Sequence, residues 1–487
     1  MPERNILFRA VSLTAIAGAA LLSPGCTKGP NYAVPAAPAP ESFREAPPQG
    51  WKEAQPSDAT LRGKWWEIFA DADLDELEGQ VAISNQNVLQ SEANFRQARA
   101  AARAARSSLF PLVTASPGST GTQSSSRLYN YVPQYPTGVY DMPLDASYTA
   151  DVWGSIHRSV TASVATAQAD AAQLENARLL YQADLAQDYF EMHGLDGDAA
   201  LLEDTLRSYQ EYLTLTRNRY AGGVASDADV AQAETQLLTT QSQLVDLEVQ
   251  RSQLEHAIAI LVGKPPSEFS IPRRPNPGPP PVIPVGLPSG LLERRPDIAQ
   301  AERQAAAANQ QIGIARAAFF PTLTFNLAAG VESTSFINWI TWPARFWTLG
   351  PQAAQVLFDA GRRRANLEQA QAGYESSAAS YRQTVLTAFQ QVEDNLSALR
   401  VLENETAVLE RAVKSAQRAL TVSTAQYKAG TVDYLQVITS QTIALQDEKS
   451  VVDVQTRRMA ASVLLIQALG GGWDRSQLPT DHQVLSR

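Results

Sequence analysis

Apolar residues recur at alternating intervals of three and four along two long stretches of the chain, Leu144 to Lys264 and Gln352 to Leu478. The chain has 29 prolines in 487 residues, yet neither stretch contains one. Because a proline in a helix interior costs about 3 kcal/mol, its absence permits very long helices. We predict a pair of long helices in each stretch, at 154–264 and 359–470. At about 1.5 Å per residue, the first helix, from about Ser159 to Tyr220, would be roughly 90 Å long.

The first stretch carries two seams of apolar or small residues. The first seam has heptad spacing and consists of Leu195, Ala199, Leu202, Leu206, Tyr209, Leu213, Thr216 and Tyr220, followed by Val230, Ala233, Leu237, Thr240, Leu244, Leu247, Arg251, Leu254, Ile258 and Leu261. The second seam is smaller and consists of Ala228, Ala231, Thr235, Leu238, Ser242, Val245 and Val249. Heptad seams favour coiled-coil packing. A helix with two seams can contact a neighbour on each side, as a stave does in a barrel.

The periodicity changes from helix to strand between Leu109 and Trp153. One face of the run is aromatic or aliphatic, and consists of Tyr140, Met142, Leu144, Ala146, Tyr148, Ala150 and Val152. The other face is polar, and consists of Asp141, Asp145, Ser147, Thr149 and Asp151. This length and alternation fit a membrane β-strand between lipid and a watery lumen. An amphipathic strand in a soluble sandwich would show the same pattern.

The strand region and the helices occur twice. Arg106 to Pro111 aligns with Arg316 to Pro321, and Tyr220 to Gly223 aligns with Tyr427 to Gly430, so the period is about 208 residues. We predict helices at 61–106 and 289–316, two strands within 107–153 and two within 317–358. A proline-rich connector at 265–288 joins the repeats, and residues 471–487 form a C-terminal tail.

Four strands in lipid cannot close a barrel, because an open edge leaves backbone groups unpaired. Barrels begin at about eight strands, so membrane strands here require at least two chains. The main alternative is a periplasmic coiled-coil lipoprotein, a scaffold or adapter with a small soluble β-domain. A lipidated enzyme is a third class, but no set of acid, base and nucleophile stands out.

Charge and composition exclude several functions. The net charge of −10 and the lack of a basic cluster argue against nucleic-acid binding. Four scattered histidines and one cysteine exclude a zinc ribbon or a disulfide framework. The Asp71 to Asp75 run resembles a calcium loop but lacks its glycine and glutamate, so we expect a helix start. Arg294, Arg295 and Asp297 are interpreted as ion pairs or caps at another helix start.

The N-terminus is typical of an export signal. Arg4 and Arg9 accompany an apolar run from Val11 to Leu22, which is too short to span a bilayer permanently. We predict a signal peptide at 1–25, with Cys26 lipidated as in bacterial lipoproteins and residues 26–60 forming an extended tether. An ordinary signal peptide with an incidental cysteine is the alternative. After Leu22 no apolar run reaches about 18 residues, so no membrane-spanning helix is expected.

Several blocks together resemble the TolC-like outer-membrane factors, most closely their lipidated efflux-pump branch. The resemblance runs from about Cys26 to Gly472. The matching blocks are Cys26 to Tyr32, Trp65 to Phe69 with Asp71 and Leu74, Leu291 to Ile298 with Ala301 and Glu302, and Ile312 to Arg316 leading into Phe320 and Pro321.

The resemblance implies an α+β membrane protein that forms a homotrimer. A 12-stranded β-barrel in the bacterial outer membrane, four strands from each chain, would continue as a 12-helix α-barrel through the periplasm. It implies a passive exit duct for small molecules in a tripartite efflux or export system, with no catalysis and no cofactor. A periplasmic adapter, or membrane-fusion protein, and an inner-membrane pump of the RND type would dock at the tip. Palmitate at Cys26 would anchor the chain in outer-membrane lipid.

The resemblance also assigns the two turns between the long helices as adapter-docking tips. The matching residues are Tyr220, Gly222, Gly223, Val224 and Ala225 in the first turn, and Tyr427, Gly430 and Thr431 in the second. The glycines could equally serve only the turn, which needs a positive φ.

The resemblance further places a periplasmic gate beside the second turn. Leu435 matches an apolar residue that narrows the closed tip. Some relatives carry aspartates six or nine residues past Gly430, where this chain has Gln436 and Thr439. Asp229 could supply an acidic ring instead, or it could be a solvated carboxylate at a helix start.

Overall fold

A computed structural model describes residues 29–45, 48, 63–123, 125, 127, 137–275, 278–283 and 290–486. The predicted signal segment, Cys26 and most of the second half of the tether lie outside these residues. Within the described parts of the chain, no helix combines the length and the hydrophobicity that crossing a membrane requires.

The helices are of matched length in the two halves of the chain. In the first half they are α1 (Ala72–Ser84), α2 (Gln86–Ser107), α3 (Ser155–Ala221) and α4 (Asp227–Leu261), and in the second half α5 (Leu291–Arg294), α6 (Pro296–Ala317), α7 (Arg362–Lys428), α8 (Tyr434–Ala468) and the short α9 (Asp481–Leu485). Helices α3 and α7 both have 67 residues, and α4 and α8 both have 35. These equal lengths agree with the duplication read from the sequence.

Helix α1 begins where the calcium-like run stands in the sequence. The side chain of Asp71 accepts hydrogen bonds from the backbone N–H groups of Asp73, at 3.0 Å, and Leu74, at 3.3 Å. A carboxylate that satisfies the first free N–H groups of a helix is an N-cap. The run is therefore a helix start, as expected.

The strands form one antiparallel sheet in which the second half of the chain continues the first. They are β1 (Leu112–Ala115), β2 (Gly118–Thr122), β3 (Thr137–Ala150), β4 (Thr322–Ser333) and β5 (Arg345–Ala354). The order is β1 and β2 together, then β3, β4 and β5. Strands β1 and β2 pair with β3 in one unbroken register, Leu112 opposite Ser147 and Thr122 opposite Thr137. They act as one interrupted strand, so each chain contributes four strand positions.

The interruption between β1 and β2 has a local cause. Ser116 N–H donates to the carbonyl of Pro143 at 3.2 Å, but proline has no N–H with which to return the bond. Pro117 also lacks a donor. On the other side of β3, Pro143 lies opposite Gly330, where a Cβ would collide with the backbone of residues 142 and 143. Glycine at that point lets β4 approach the proline closely.

The predicted alternation along β3 is present, but the strand is shorter than the pattern. It ends at Ala150, so Asp151 and Val152 lie in the turn before α3. Asp151 accepts hydrogen bonds from the N–H groups of Ile156, at 2.9 Å, and His157, at 2.7 Å. Its assignment to the polar strand face is wrong, because its carboxylate satisfies the start of α3 instead.

The long helices pack pairwise and against each other. Helix α3 contacts α2, α4, α6 and α8, and α7 contacts α6 and α8. The main core lies where α1 and the Trp65–Phe69 3-10 helix meet the middle parts of α3 and α7 and the C-terminal ends of α4 and α8, around Trp65, Tyr189 and Phe190. Near the turns, a separate cluster surrounds Leu213 and Tyr427.

The described part of the tether, residues 29–45, contains no helix or strand and runs along α6 and α7. The hydroxyl of Tyr32 donates to the Glu302 carboxylate at 2.6 Å. Further along, Arg382 donates to the carbonyl of Ala36 at 3.0 Å. The segment is held by specific contacts along its length.

Candidate functional site

The first long helix pair reverses at a tight turn after Ala221. Val224 N–H donates to the carbonyl of Arg219 at 2.8 Å, a bond that closes the end of α3 in a Schellman motif. Gly223 has a φ of 74°, whereas Gly222 has a right-handed φ of −81°. Only Gly223 therefore occupies a conformation that favours glycine.

The second turn has the same geometry. Thr431 N–H donates to the carbonyl of Gln426 at 3.0 Å, and Gly430 N–H donates to that of Tyr427 at 3.0 Å. Gly430 has a φ of 75°. The two turns therefore lie at the same end of a structure built from two copies of one helical hairpin.

Most of the predicted docking residues lie at the surface of the turns. The exposed ones are Tyr220, Gly222, Gly223, Val224, Gly430 and Thr431, and Ala225 is half-buried. Tyr427 differs from its counterpart Tyr220, because only 3 % of its surface is exposed. Its ring packs against that of Tyr434, with centroids 5.4 Å apart. Tyr427 supports the tip from inside and is not part of the surface that a partner would touch.

Arg219 connects the two helix pairs at this buried tyrosine. Its guanidinium lies over the ring of Tyr427, 4.5 Å from the centroid, and donates to the carbonyl of Tyr427 at 2.6 Å. The Tyr427 hydroxyl lies 3.3 Å from that of Thr216, also on α3. We call Arg219, Thr216 and Tyr427 the tip clasp. The sequence pattern does not single out Arg219, because its partner is 208 residues away.

The predicted gate residues of the second repeat share the beginning of α8. Leu435, Gln436 and Thr439 are all exposed, and the Thr439 hydroxyl donates to the carbonyl of Leu435 at 2.9 Å. Next to them on the helix, Tyr434 and Val437 are buried. The helix thus divides cleanly into a packed face and a face free to line a passage.

Asp229 caps its own helix. Its carboxylate accepts from the N–H of Ser226 at 2.8 Å, and its own N–H donates to the Ser226 hydroxyl at 3.1 Å. This reciprocal pair is a capping box. Of the two interpretations of Asp229, the local geometry favours the helix-start carboxylate, because the capping bonds already engage one carboxylate oxygen.

The arginine-rich block at the start of α6 forms ion pairs and hydrogen bonds within the fold, as expected. Arg295 is buried and makes two hydrogen bonds to the Asp297 carboxylate, at 3.0 and 2.6 Å. It also donates to the carbonyl of Ala468, at 2.8 Å, and to the side chain of Gln391, at 2.9 Å. Arg295 therefore ties the start of α6 to α7 and the end of α8. Over the described ranges, no cluster of three or more His, Cys, Asp or Glu is placed to hold a metal ion.

The smaller seam of α4 is unpartnered within the chain. All seven of its predicted residues are exposed, including Leu238 at 60 %, whereas Ala233 and Thr240 of the heptad seam are buried. Helix α7 likewise exposes Val401, Val408 and Val422, at spacings of seven and fourteen. A single chain therefore leaves apolar helical stripes without a neighbour.

The two faces of the sheet differ in chemistry. The polar face forms a groove lined by Thr114, Asp145, Ser147, Asn326 and Thr348, among others. Within it, the Ser147 hydroxyl donates to the Asn326 side chain at 3.0 Å. The opposite face exposes Met142, Leu144, Leu327, Trp347 and Leu349. One face suits water and the other suits lipid.

Comparison with known proteins agrees with this geometry. Residues 77–264 and 287–471 match the family model described as outer membrane efflux protein. The chain is 32 % identical over 467 residues to the pyoverdine export outer membrane protein OpmQ of Pseudomonas aeruginosa, over 92 % of this chain and 95 % of that protein. It is 31 % identical over 472 residues to the outer membrane protein OprJ of the same species, over 95 % of this chain and 96 % of that protein. The solved outer-membrane channel OprN superposes with a TM-score of 0.84 at 27 % identity, over 92 % of this chain and all of that one.

The chain belongs to the outer membrane efflux protein family. The resemblance to TolC-like outer-membrane factors is confirmed. The protein is an outer-membrane exit duct of an efflux system, and its family consists of transport channels, not enzymes.

Proposed function

We propose that three copies of this chain close a 12-stranded β-barrel in the outer membrane and extend it as a 12-helix α-barrel into the periplasm. The observation that carries this proposal is the sheet, which has four strand positions, one polar face, one apolar face and two open edges at β1/β2 and β5. In lipid, each unpaired backbone group at those edges would cost several kcal/mol. Pairing β5 of one chain with β1 and β2 of the next removes the edges.

The exposed helical stripes support the same assembly. In a ring of staves, the smaller seam of α4 and the valine stripe of α7 would lie against neighbouring helices. Their burial would stabilise the trimer in the periplasm independently of the barrel. The polar groove of the sheet would face the lumen, and the apolar face would contact lipid.

Lipid attachment at Cys26 fits the position of the chain that follows it. Gly29 lies against Gly313, and Arg158 donates to the carbonyl of Pro30 at 3.2 Å. Gly313 precedes the end of α6 by four residues, and β4 starts at Thr322. Three residues span at most about 11 Å, so Cys26 is within reach of the helix-to-strand junction, where the membrane would begin. A lipid chain there would enter the periplasmic leaflet.

The partners would be a periplasmic adapter and, through it, an inner-membrane pump of the RND type. The two turns present exposed backbone and small side chains in matching geometry, which suits docking of a helical hairpin between neighbouring tips. The pump would select the cargo, and the duct would pass small molecules such as the pyoverdine in the name of its relative OpmQ. The alternative of a periplasmic scaffold is set aside, because the family consists of outer-membrane efflux channels and because a scaffold has no use for an apolar sheet face.

The test is Gly430→Pro at the second turn. Proline requires a φ near −65° and has no N–H, whereas Gly430 has a φ of 75° and donates to Tyr427. We expect trimers to remain in the outer membrane while export of a pump substrate is lost. Gly63→Pro is the matched control, because Gly63 also has a positive φ but lies far from the turns in sequence and outside the long helices. Full export by assembled Gly430→Pro trimers would refute the docking role of that turn.

A further inference from the structure

The loop between β4 and β5, residues 334–344, has an unusual composition for a connection that leaves a membrane sheet. It contains no charged residue, and its large side chains are Phe336, Ile337, Trp339, Ile340 and Trp342. Ile337 is 89 % exposed and Ile340 75 %. An exposed apolar patch of this kind indicates a contact surface, because water would not favour it.

The loop folds toward the apolar face of the sheet. Tyr140 belongs to that face, and its ring lies 5.4 Å from the ring of Phe336 and 6.1 Å from that of Trp339. The side chains of Met142 and Leu144 continue the same face away from the loop. The loop is therefore an extension of the apolar surface and does not cover the polar groove.

The loop also sits away from the edges where another chain would pair. Tyr140 lies opposite Ser333, on the two central strands β3 and β4. A neighbouring subunit would approach at β1/β2 or at β5. The cluster of Tyr140, Phe336 and Trp339 is thus positioned to meet the surrounding medium and not a second copy.

The end of the sheet that carries the loop is opposite the long helices, since β4 follows α6 and β5 leads into α7. Twelve residues of β4 suffice to cross a membrane core, for which a tilted strand needs about 9–11. The loop then begins at the far interface. Tryptophan and tyrosine favour such interfaces, because their rings are apolar and their polar atoms reach water.

We propose that loop 334–344 is a lipid-binding surface that inserts into the headgroup region of the outer leaflet and anchors the far rim of the barrel. The proposal rests on the membrane barrel described above. Phe336, Ile337 and Ile340 would contact the upper acyl chains. Arg345 follows directly and supplies a positive charge at this rim, with its guanidinium over the ring of Trp342 and donating to the carbonyl of Trp342 at 2.9 Å. The surface is therefore compatible with anionic headgroups.

The experiment measures depth with a fluorescent label on single introduced cysteines in the full-length protein. Ile340→Cys reports the loop, Leu144→Cys the apolar strand face, and Thr348→Cys the polar face. Protein without an introduced cysteine gives the background from Cys26. Vesicles of phosphatidylethanolamine and phosphatidylglycerol carry a nitroxide either on the headgroup or deep in the acyl chain, and iodide serves as the aqueous quencher.

We expect the label at Ile340 to be quenched several-fold more by the headgroup nitroxide than by iodide, and the label at Leu144 to be quenched most by the acyl-chain nitroxide. The label at Thr348 should respond to iodide alone. If Leu144 meets lipid while Ile340 responds only to iodide or to neither quencher, the loop is a lumen lid or a subunit contact, and the inference is wrong. If neither position meets lipid, the barrel proposal fails as well.

Intrinsic fluorescence gives a second measurement that needs no label. Brominated phospholipid should quench the native protein, and Trp342→Phe should lose part of that quenching. Trp473→Phe is the matched control, because Trp473 is buried in the helical region. Equal quenching of both variants would contradict insertion of the loop.

Discussion

The tip clasp makes a prediction about opening. Arg219 belongs to the first helix pair and Tyr427 to the second, so their contact holds the two pairs together near the turns. If opening moves the pairs apart, the contact exists only in the closed duct. Arg219→Ala should then shift the equilibrium toward the open state without disturbing the barrel or the distant core.

The geometry sets the size of this shift. A hydrogen bond from a charged donor contributes a net of about 1.5–3 kcal/mol. The guanidinium over the ring adds about 0.5–2 kcal/mol. Because the two contacts share one side chain they are not fully additive, and we take about 3 kcal/mol for each chain. About 1.4 kcal/mol corresponds to a tenfold change in an equilibrium constant. Loss of the clasp should therefore lower the ratio of closed to open states by roughly 100-fold for each tip.

The assay is the open fraction of the purified protein in planar bilayers. Arg217→Ala is the control, because Arg217 lies two residues away and pairs with Glu234 on the surface of its own helix pair. Such exposed pairs contribute about 0–1 kcal/mol, so this variant should behave like the native protein. We expect a large gain in open fraction for Arg219→Ala alone. An unchanged open fraction in correctly assembled Arg219→Ala trimers would refute the clasp as a closing contact.

Two further predictions concern carboxylates. Glu78 is fully buried and neither of its oxygens has a described hydrogen-bond partner, so burial raises its pKa well above the usual value. The folded state then binds more protons than the unfolded state, and stability falls as pH rises from the ordinary pKa toward the raised one. The melting temperature of Glu78→Gln should therefore be higher than that of the native protein at about pH 8, and the two should be equal at about pH 4. A higher melting temperature for the native protein at pH 8 would contradict this prediction. Asp145 lines the polar groove, so the native duct should prefer cations and Asp145→Asn should prefer them less. Reversal potentials in a salt gradient measure this preference. Anion preference in the native duct would contradict the prediction.

The long helices were predictable because their signal is local and repeated. Ala199, Leu202 and Leu213 stand at heptad spacing and are buried, whereas Leu238 and Val245 of the smaller seam are exposed in the single chain. Coiled-coil periodicity marks both kinds of seam without showing which is covered by the same chain. That distinction depends on tertiary packing, which sequence spacing does not encode.

The tip shows the same limit of sequence-based prediction, which does not extend to tertiary packing. The turns and their glycines could be read from the sequence, because a helix that ends in a Schellman motif needs a residue with positive φ. The burial of Tyr427 could not be read from the sequence, because it depends on Arg219 from the other repeat. The prediction that Asp151 lies on the strand is wrong, because the strict alternation of the sequence continues past Ala150, where the backbone leaves the sheet. The carboxylate of Asp151 caps α3 instead.

The central claim is that strands from three chains close one barrel, and the mass of the mature protein in detergent tests it most directly. Light scattering with the detergent contribution subtracted counts the chains in each particle. The account predicts three. A monomer that remains folded would mean that the sheet edges are not closed by neighbouring chains, and the proposed barrel would be wrong.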